Sequence, residues 1–389
     1  MVGVMAEPYS KTNPYMATLA LRRRVNSPEN KTKETVHIEI DLGNSGLVYK
    51  SGDSLGVFPR NTDKLVDAVL VAYKLDGNAM VTLPKATAAI TLRQALTTEL
   101  NLGKITKKFA LFALENLSCD KQKAALNEIL SNADPLAVTA WADARHVLDI
   151  AEEFDSIQVT PQVFVEQLRK QAPRLYSISS SPKYVGANKV HLTVAVVRYE
   201  TNGRSRDGVC STFLGEYAPV GEACLPVFVA NSHFGPPADT TVPMIMVGPG
   251  TGVAPFRSFV QDRKAEKASG KNWLFFGDQH EKTDFLYEDE WKAALADGSL
   301  TKLSCAWSRD QEFKIYVQDK IREAGAEIWQ WLDKENGAFF ICGDAKRMAK
   351  DVEAALLEIF KTQGGLDDAG AADYLKALKT AGRYQKDVY

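Results

Sequence analysis

The sequence is poor in cysteine, nearly neutral, and without long apolar runs. It nowhere contains the ~18 consecutive apolar residues that a membrane-spanning helix needs, so no such helix is expected. Met1 to Tyr15 holds no apolar h-region of the kind a secretory leader carries. Five cysteines, Cys119, Cys210, Cys224, Cys305 and Cys342, are scattered along 389 residues with no C-x-x-C pair. An odd, dispersed set excludes a disulfide framework and an iron–sulfur site, and reads as the reduced thiols of a cytoplasmic protein. His37, His146, His191, His233 and His280 show no metal-ligand spacing, so no metal is expected. Lys and Arg number 47 against 49 Asp and Glu, a formal net charge of −2, which leaves no basic surface for nucleic acid. No internal repeat is visible. What remains, 45% apolar and 25% charged, is ordinary globular composition at a length that accommodates two or three domains.

The pattern changes twice along the chain. Residues 1–13 read as a loose arm. From Tyr15 to Pro59 it is β-like, with Val36, Ile38 and Ile40 alternating and Gly52-Asp53 marking a turn. From 63 to 171 Ala, Leu, Glu and Lys dominate, and apolar residues recur at helical spacing, as in Phe109-Ala110-Phe112-Ala113. Strands return over 174–179 and 190–199. From Val242 onward short apolar strands, 242–247, 273–277, 302–307 and 338–342, alternate with helical segments. Such a βα series predicts a parallel sheet.

Three segments carry chemistry. Arg174-Leu175-Tyr176-Ser177 combines a fixed cation, a flat phenol and a hydroxyl, a set that suits the phosphate, ring and reactive edge of a flavin. A Ser-rich turn after a strand would have the same composition. Gly208-Val209-Cys210-Ser211-Thr212 is a glycine turn leading into an apolar run, a helix start able to meet a pyrophosphate. Gly248-Pro249-Gly250-Thr251-Gly252 follows a buried apolar strand and precedes a helix. That order is the dinucleotide-phosphate arrangement, although the spacing is not G-x-G-x-x-G and a plain βα turn remains open. Thr251 would contact pyrophosphate or nicotinamide ribose. After the strand at 302–307, Ser308, Arg309, Lys314 and Tyr316 offer charge and hydroxyls, with Gln318 beyond. A 2′-phosphate needs such a set, whereas an NAD site would want an acid for the ribose. The alternative is a solvated loop, since Asp310 and Glu312 dilute the charge.

Taken in order, these motifs make the chain resemble the diflavin reductase branch of the ferredoxin–NADP reductase superfamily. It looks closest to the FAD/NADPH-binding part of sulfite reductase flavoprotein subunits, without their flavodoxin-like domain. Phe275-Phe276-Gly277-Asp278, Asp284-Phe285-Leu286-Tyr287, Ala306-Trp307-Ser308-Arg309-Asp310-Gln311, Tyr316-Val317-Gln318-Asp319-Lys320, Cys342-Gly343-Asp344-Ala345 and Arg383-to-Tyr389 match that branch as well. The resemblance implies an α/β plus β fold. An antiparallel FAD-binding barrel (14–62 and 172–240) is interrupted by a helical connecting domain (63–171). A Rossmann-like parallel-sheet NADP-binding domain (241–389) follows. Only some 60 residues precede the helical segment, so the FMN module is expected to be absent.

The resemblance also implies roles. Arg174, Tyr176 and Ser177 would hold the FMN half of FAD, with Ser177 near N5. Gly208, Val209, Cys210, Ser211 and Thr212 would cradle the pyrophosphate, and Val197 and Tyr199 would lie near the adenine. Cys342 and Asp387, with Ser177, would surround the transferring hydride; read alone, a single buried Cys is more often structural. Tyr389 would stack on the flavin and move aside for the nicotinamide. Lys33 falls where some members have a phosphate-contacting arginine. Asp278 lies in a loop that varies, and no role is assigned to it. The activity implied is hydride transfer from NADPH to FAD, then single electrons to a protein acceptor. That acceptor would be a flavodoxin-like module or a haem/iron–sulfur subunit, as in sulfite reductase. A stand-alone ferredoxin or flavodoxin reductase and a non-catalytic flavin-binding scaffold are the alternatives.

Overall fold

The computed structural model describes residues 9–389. Most of the arm expected over 1–13 lies outside the described residues. Ser10 and Asn13, at its end, exchange backbone hydrogen bonds of 2.8 and 3.1 Å. The described chain divides into two compact units: 9–57, 175–196 and 218–389 form one, 58–174 and 197–217 the other.

The first unit contains two sheets. Strands β1 (Tyr15–Arg24), β2 (Thr35–Asp41), β3 (Ser54–Val57), β4 (Arg174–Ser177), β5 (Lys189–Ala195) and β6 (Ala223–Ala230) form a six-stranded sheet in the order β4-β3-β6-β1-β2-β5. The pairs β1–β6, β1–β2, β6–β3 and β2–β5 are antiparallel. Just past β4, Ile178 bridges to Leu192 of β5, and the Ser179 N–H donates to the His191 carbonyl at 2.8 Å. The two ends of the sheet thereby meet and the strands close as a barrel, which leaves no open edge.

The second sheet is wholly parallel. Strands β7 (Met244–Val247), β8 (Asn272–Asp278), β9 (Lys302–Trp307), β10 (Ala338–Gly343) and β11 (Tyr384–Val388) lie in the order β9-β8-β7-β10-β11. All four residues of β7 and all six of β10 are buried, the continuous apolar run of a strand covered on both faces. Alternation along the strands separates two cores. Ile245, Val247, Phe275, Phe339 and Ile341 pack with the Met348–Thr362 helix, whereas Met246, Phe276, Phe340 and Cys342 pack with Phe256 and Phe259. Burying each of these large side chains contributes roughly 1.5–3 kcal/mol.

The second unit is mainly helical. Thr62, Thr106 and Thr160 each cap a helix by accepting a backbone N–H. Its core runs through Val66, Tyr73, Phe109 and Phe164. The hairpin formed by Arg198–Thr201 and Arg204–Asp207 belongs to this unit rather than to the barrel strands before and after it. Arg206 explains why: its guanidinium donates to the buried Asp149 at 2.6 Å, fastening the hairpin to a helix. Among the described residues, no helix is long and apolar enough to cross a membrane.

Candidate active site

β7 has β8 on one side and β10 on the other, so the strand order reverses between β7 and β10. A crevice opens at the carboxyl end of such a switch point. Gly248 to Gly252 fill this place. A Cβ on Gly248 would stand 2.5 Å from the Gly252 carbonyl oxygen, and one on Gly252 would stand 2.2 Å from the Cys342 carbonyl oxygen. Both positions therefore demand glycine. Gly250 has φ +56°, the left-handed region, and its missing side chain leaves open space up to Asp278 Oδ2 at 3.8 Å. The turn thus offers bare backbone to a ligand and presses against the end of β10.

β11 adds the next layer. Its parallel register sets Asp387 beside Cys342. The Ser177 hydroxyl donates to Asp387 Oδ2 at 2.7 Å, and the Cys342 thiol donates to the same oxygen at 3.9 Å. Burial, and secondarily the Asp387 charge, pushes the Cys342 thiol well above its ordinary range, so it stays S–H and is a donor rather than a nucleophile. Tyr176 and Ser177 are half-buried. The Tyr389 backbone is docked: its N–H donates to the Gly343 carbonyl at 3.1 Å and its carbonyl accepts from Ala345 at 3.1 Å. The residue is nevertheless 67% exposed, with its hydroxyl 3.2 Å from Thr251 Oγ1. A fixed backbone carrying an open aromatic face is suited to stacking.

On the other side of the glycine turn is a cleft of about 540 Å³ whose lining includes Pro249, Gly250, Asp278, Ser308, Tyr316 and Gln318. Ser308 is fixed by its N–H, 2.9 Å from the Asp278 carbonyl. Arg309 and Lys314 are exposed and stand outside that lining. Arg347, which also lines the cleft, escaped the sequence reading. It follows the Cys342-Gly343-Asp344-Ala345 motif by two positions, and nothing in its local pattern separates it from the surface lysines around it.

In the second unit, the Gly208 N–H donates to the Val197 carbonyl at 2.8 Å, and a Cβ on Gly208 would lie 2.8 Å from Val197 Cβ. The Ser211 hydroxyl accepts from the Val197 N–H at 3.0 Å and donates to the Gly208 carbonyl at 3.0 Å; the Thr212 hydroxyl donates to the same carbonyl at 2.9 Å. Cys210, Ser211 and Thr212 are buried, Gly208 and Val209 half-buried. The hydroxyls therefore shape the turn, and its half-buried backbone is what a phosphate would meet. Val197 and Tyr199 are exposed, the Tyr199 hydroxyl lying 3.2 Å from His146 Nε2. Arg174 is exposed as well.

Two further groups have other uses. Ser179, Ser180 and Ser181 are fully buried. Ser181 donates to Asp262 at 2.6 Å, and Ser180 accepts from the His191 N–H at 2.9 Å. His37, Glu39 and His191 converge with potential ligand atoms within 4.8 Å of one another, although linear spacing gave no hint of it. Cross-strand pairing brings them together, Glu39 lying opposite His191. Tyr287 meets His37 Nδ1 at 3.0 Å and the Arg257 guanidinium meets His191 Nδ1 at 3.4 Å. A cation at this place would face that guanidinium, so the arrangement reads as a hydrogen-bonded network.

The family described as FAD binding domain matches residues 7–213. The chain belongs to this family. A second family, oxidoreductase NAD-binding domain, matches residues 246–354, so the FAD domain is followed by a nicotinamide-nucleotide domain. The sulfite reductase [NADPH] flavoprotein alpha-component of Bacillus subtilis is 44% identical over 382 residues, covering 98% of this chain and 62% of that protein. The protein of that name from Photorhabdus laumondii is 44% identical over 390 residues, and that of Escherichia coli K12 is 42% identical over 387; each covers 99% of this chain. The chain spans 62% of the length of these relatives.

Proposed function

We propose that the chain is an NADPH-dependent FAD oxidoreductase that delivers electrons to a protein acceptor in the cytoplasm. The observation that carries this is the Ser177–Asp387–Cys342 cluster, set against a glycine turn at the switch point of a parallel sheet. FAD, when bound, supplies the means to accept a hydride from NADPH and release electrons one at a time.

The donor set suits both groups. Gly250 leaves the room that a phosphate requires, Gly248 and Gly252 let the turn pack closely enough to present its backbone, and Thr251 adds a hydroxyl. Ser308, Tyr316 and Gln318 are assigned to the adenosine end of NADPH, with the exposed cations Arg309 and Lys314 assigned to the 2′-phosphate. Tyr176 and Ser177 are assigned to the flavin ring. Arg174 is assigned to the phosphate of the FMN half, the Gly208–Thr212 backbone to the pyrophosphate, and Val197 with Tyr199 to the adenine. Asp387 holds a carboxylate where the nicotinamide turns cationic, which offsets the developing charge. Ser177 and Cys342 orient that carboxylate, and both keep their protons. Tyr389 covers the ring position and yields it to the nicotinamide.

The acceptor is a flavodoxin-like module or a haem/iron–sulfur subunit, as the likeness to sulfite reductase flavoproteins suggests. Steady-state reduction of ferricyanide, a one-electron acceptor, by the FAD-loaded protein tests the reading. Turnover with NADPH well above that with NADH is expected; equal rates would contradict the assignment of the 2′-phosphate.

A further inference from the structure

The cleft assigned to NADPH contains a carboxylate where phosphates would have to come. Asp278, at the end of β8, turns Oδ2 toward the open space over Gly250, 3.8 Å from where a Cβ there would be. Its side chain is only 4% exposed, and its Oδ1 accepts the Gln279 N–H at 2.8 Å. An uncompensated carboxylate in this place would repel a dinucleotide phosphate. Burial already pushes its carboxyl above the ordinary range, against the pull of its one cationic partner.

That partner is Lys33, whose ammonium is hydrogen-bonded to Asp278 Oδ2. Lys33 approaches Asp278 from the connection between β1 and β2, outside the cleft lining, and its position is built. The Lys33 carbonyl accepts from Arg24 at 2.8 Å and from Asn26 at 2.9 Å, and its N–H donates to Asn30 at 2.9 Å. Asn30 in turn donates to the buried Asp284 at 2.7 Å. The other charged groups lining the cleft are Asp344, Asp351 and Arg347. Asp344 is already compensated by the backbone N–H groups of Lys346, Arg347 and Met348.

We propose that Lys33 acts on nucleotide binding through Asp278: it neutralises this carboxylate so that the glycine turn accepts phosphate, and is itself held away from direct phosphate contact. Lys33 and Asp278 are then a positioning pair that sets nucleotide affinity. The proposal rests on the assignment of NADPH to this cleft.

The test is a double-mutant cycle read by calorimetric titration with NADP⁺ and with 2′,5′-ADP, without turnover. Lys33→Met should weaken NADP⁺ binding roughly tenfold, the size expected for stranding one member of a coupled pair. Asp278→Asn should bind as tightly as the parent or more tightly. The double variant should regain parent affinity within about threefold, because the stranded charge is gone. 2′,5′-ADP, which lacks the pyrophosphate, should respond less than NADP⁺ to Lys33→Met. A double variant as weak as Lys33→Met would overturn the proposal, since Lys33 would then contact the nucleotide itself. Four equal affinities would also overturn it. Absence of NADP⁺ binding by the parent protein would instead refute the NADPH assignment. Thermal melts of all four proteins identify any variant that is unfolded.

Discussion

At Asp387, one carboxylate oxygen accepts from two side chains, and both donors keep their protons for physical reasons. The Ser177 hydroxyl does not ionise near neutrality, and burial holds the Cys342 thiol protonated. The cluster is therefore one carboxylate held by two orienting donors. Asp387→Asn preserves shape and removes the charge. It is predicted to slow NADPH-driven flavin reduction by roughly 10- to 100-fold while leaving NADP⁺ affinity within about threefold, measured by stopped-flow absorbance and by titration. An unchanged reduction rate would remove Asp387 from the chemistry. Cys342 should also resist iodoacetamide in the native protein, lagging well behind the half-buried Cys119 in mass-spectrometric labelling at pH 8. Equal labelling would show that the thiol is reachable as thiolate. Sequence reading found Ser177, Cys342 and Asp387 through motif likeness. Their meeting depends on β11 pairing in parallel with β10, and Arg383-to-Tyr389 has too few apolar residues to announce a strand. Arg347 and the pairing of Lys33 with Asp278 went unread for a related reason: motif likeness marked the position of Lys33, but its partner appears only when the fold supplies it.

At the scale of elements, the glycine turn and the barrel network make separate predictions. Gly252→Ala would drive a methyl into the Cys342 carbonyl, a backbone contact that side-chain motion cannot relieve. A loss of about 1–3 kcal/mol is expected in urea unfolding, together with weakened nucleotide binding. A neutral outcome would mean that the turn is looser than its packing implies. In the barrel, burial first and the Arg257 guanidinium second lower His37 to about 2 and His191 to about 3. Both start from an ordinary value near 6.5. Below that value the unfolded chain takes up protons that the folded one refuses. Stability is therefore complete above about pH 6.5 and falls as the pH drops toward about 3, by up to roughly 1.4 kcal/mol per pH unit for each ring. Urea midpoints at pH 7.5 and 5.5 should differ clearly in the parent and less in His191→Gln. A parallel shift in both would assign the acid sensitivity elsewhere. The parallel series was readable because strands buried on both faces give short continuous apolar runs. The strand expected at 190–199 is instead broken after Ala195, and Arg198–Thr201 joins the second unit through Arg206 and Asp149. A buried ion pair decided that, and linear alternation carries no trace of it.

For the molecule as a whole, the hydride cluster, glycine turn and nucleotide cleft all belong to the first of the two compact units. Tyr389 is where nucleotide access should be felt, because the residue is largely exposed while its backbone is docked. Tyr389→Ser is expected to raise kcat/KM for NADH by at least about tenfold, since a covering ring no longer has to be displaced. An unchanged value would make the ring a bystander. The central claim is hydride transfer from NADPH to FAD, and an anaerobic single-turnover mixing experiment tests it most directly. FAD-loaded protein mixed with one equivalent of NADPH should lose its visible flavin absorbance rapidly, and with NADH far more slowly. Retention of that absorbance with both nucleotides, by a protein shown to bind FAD and NADP⁺, would contradict the account.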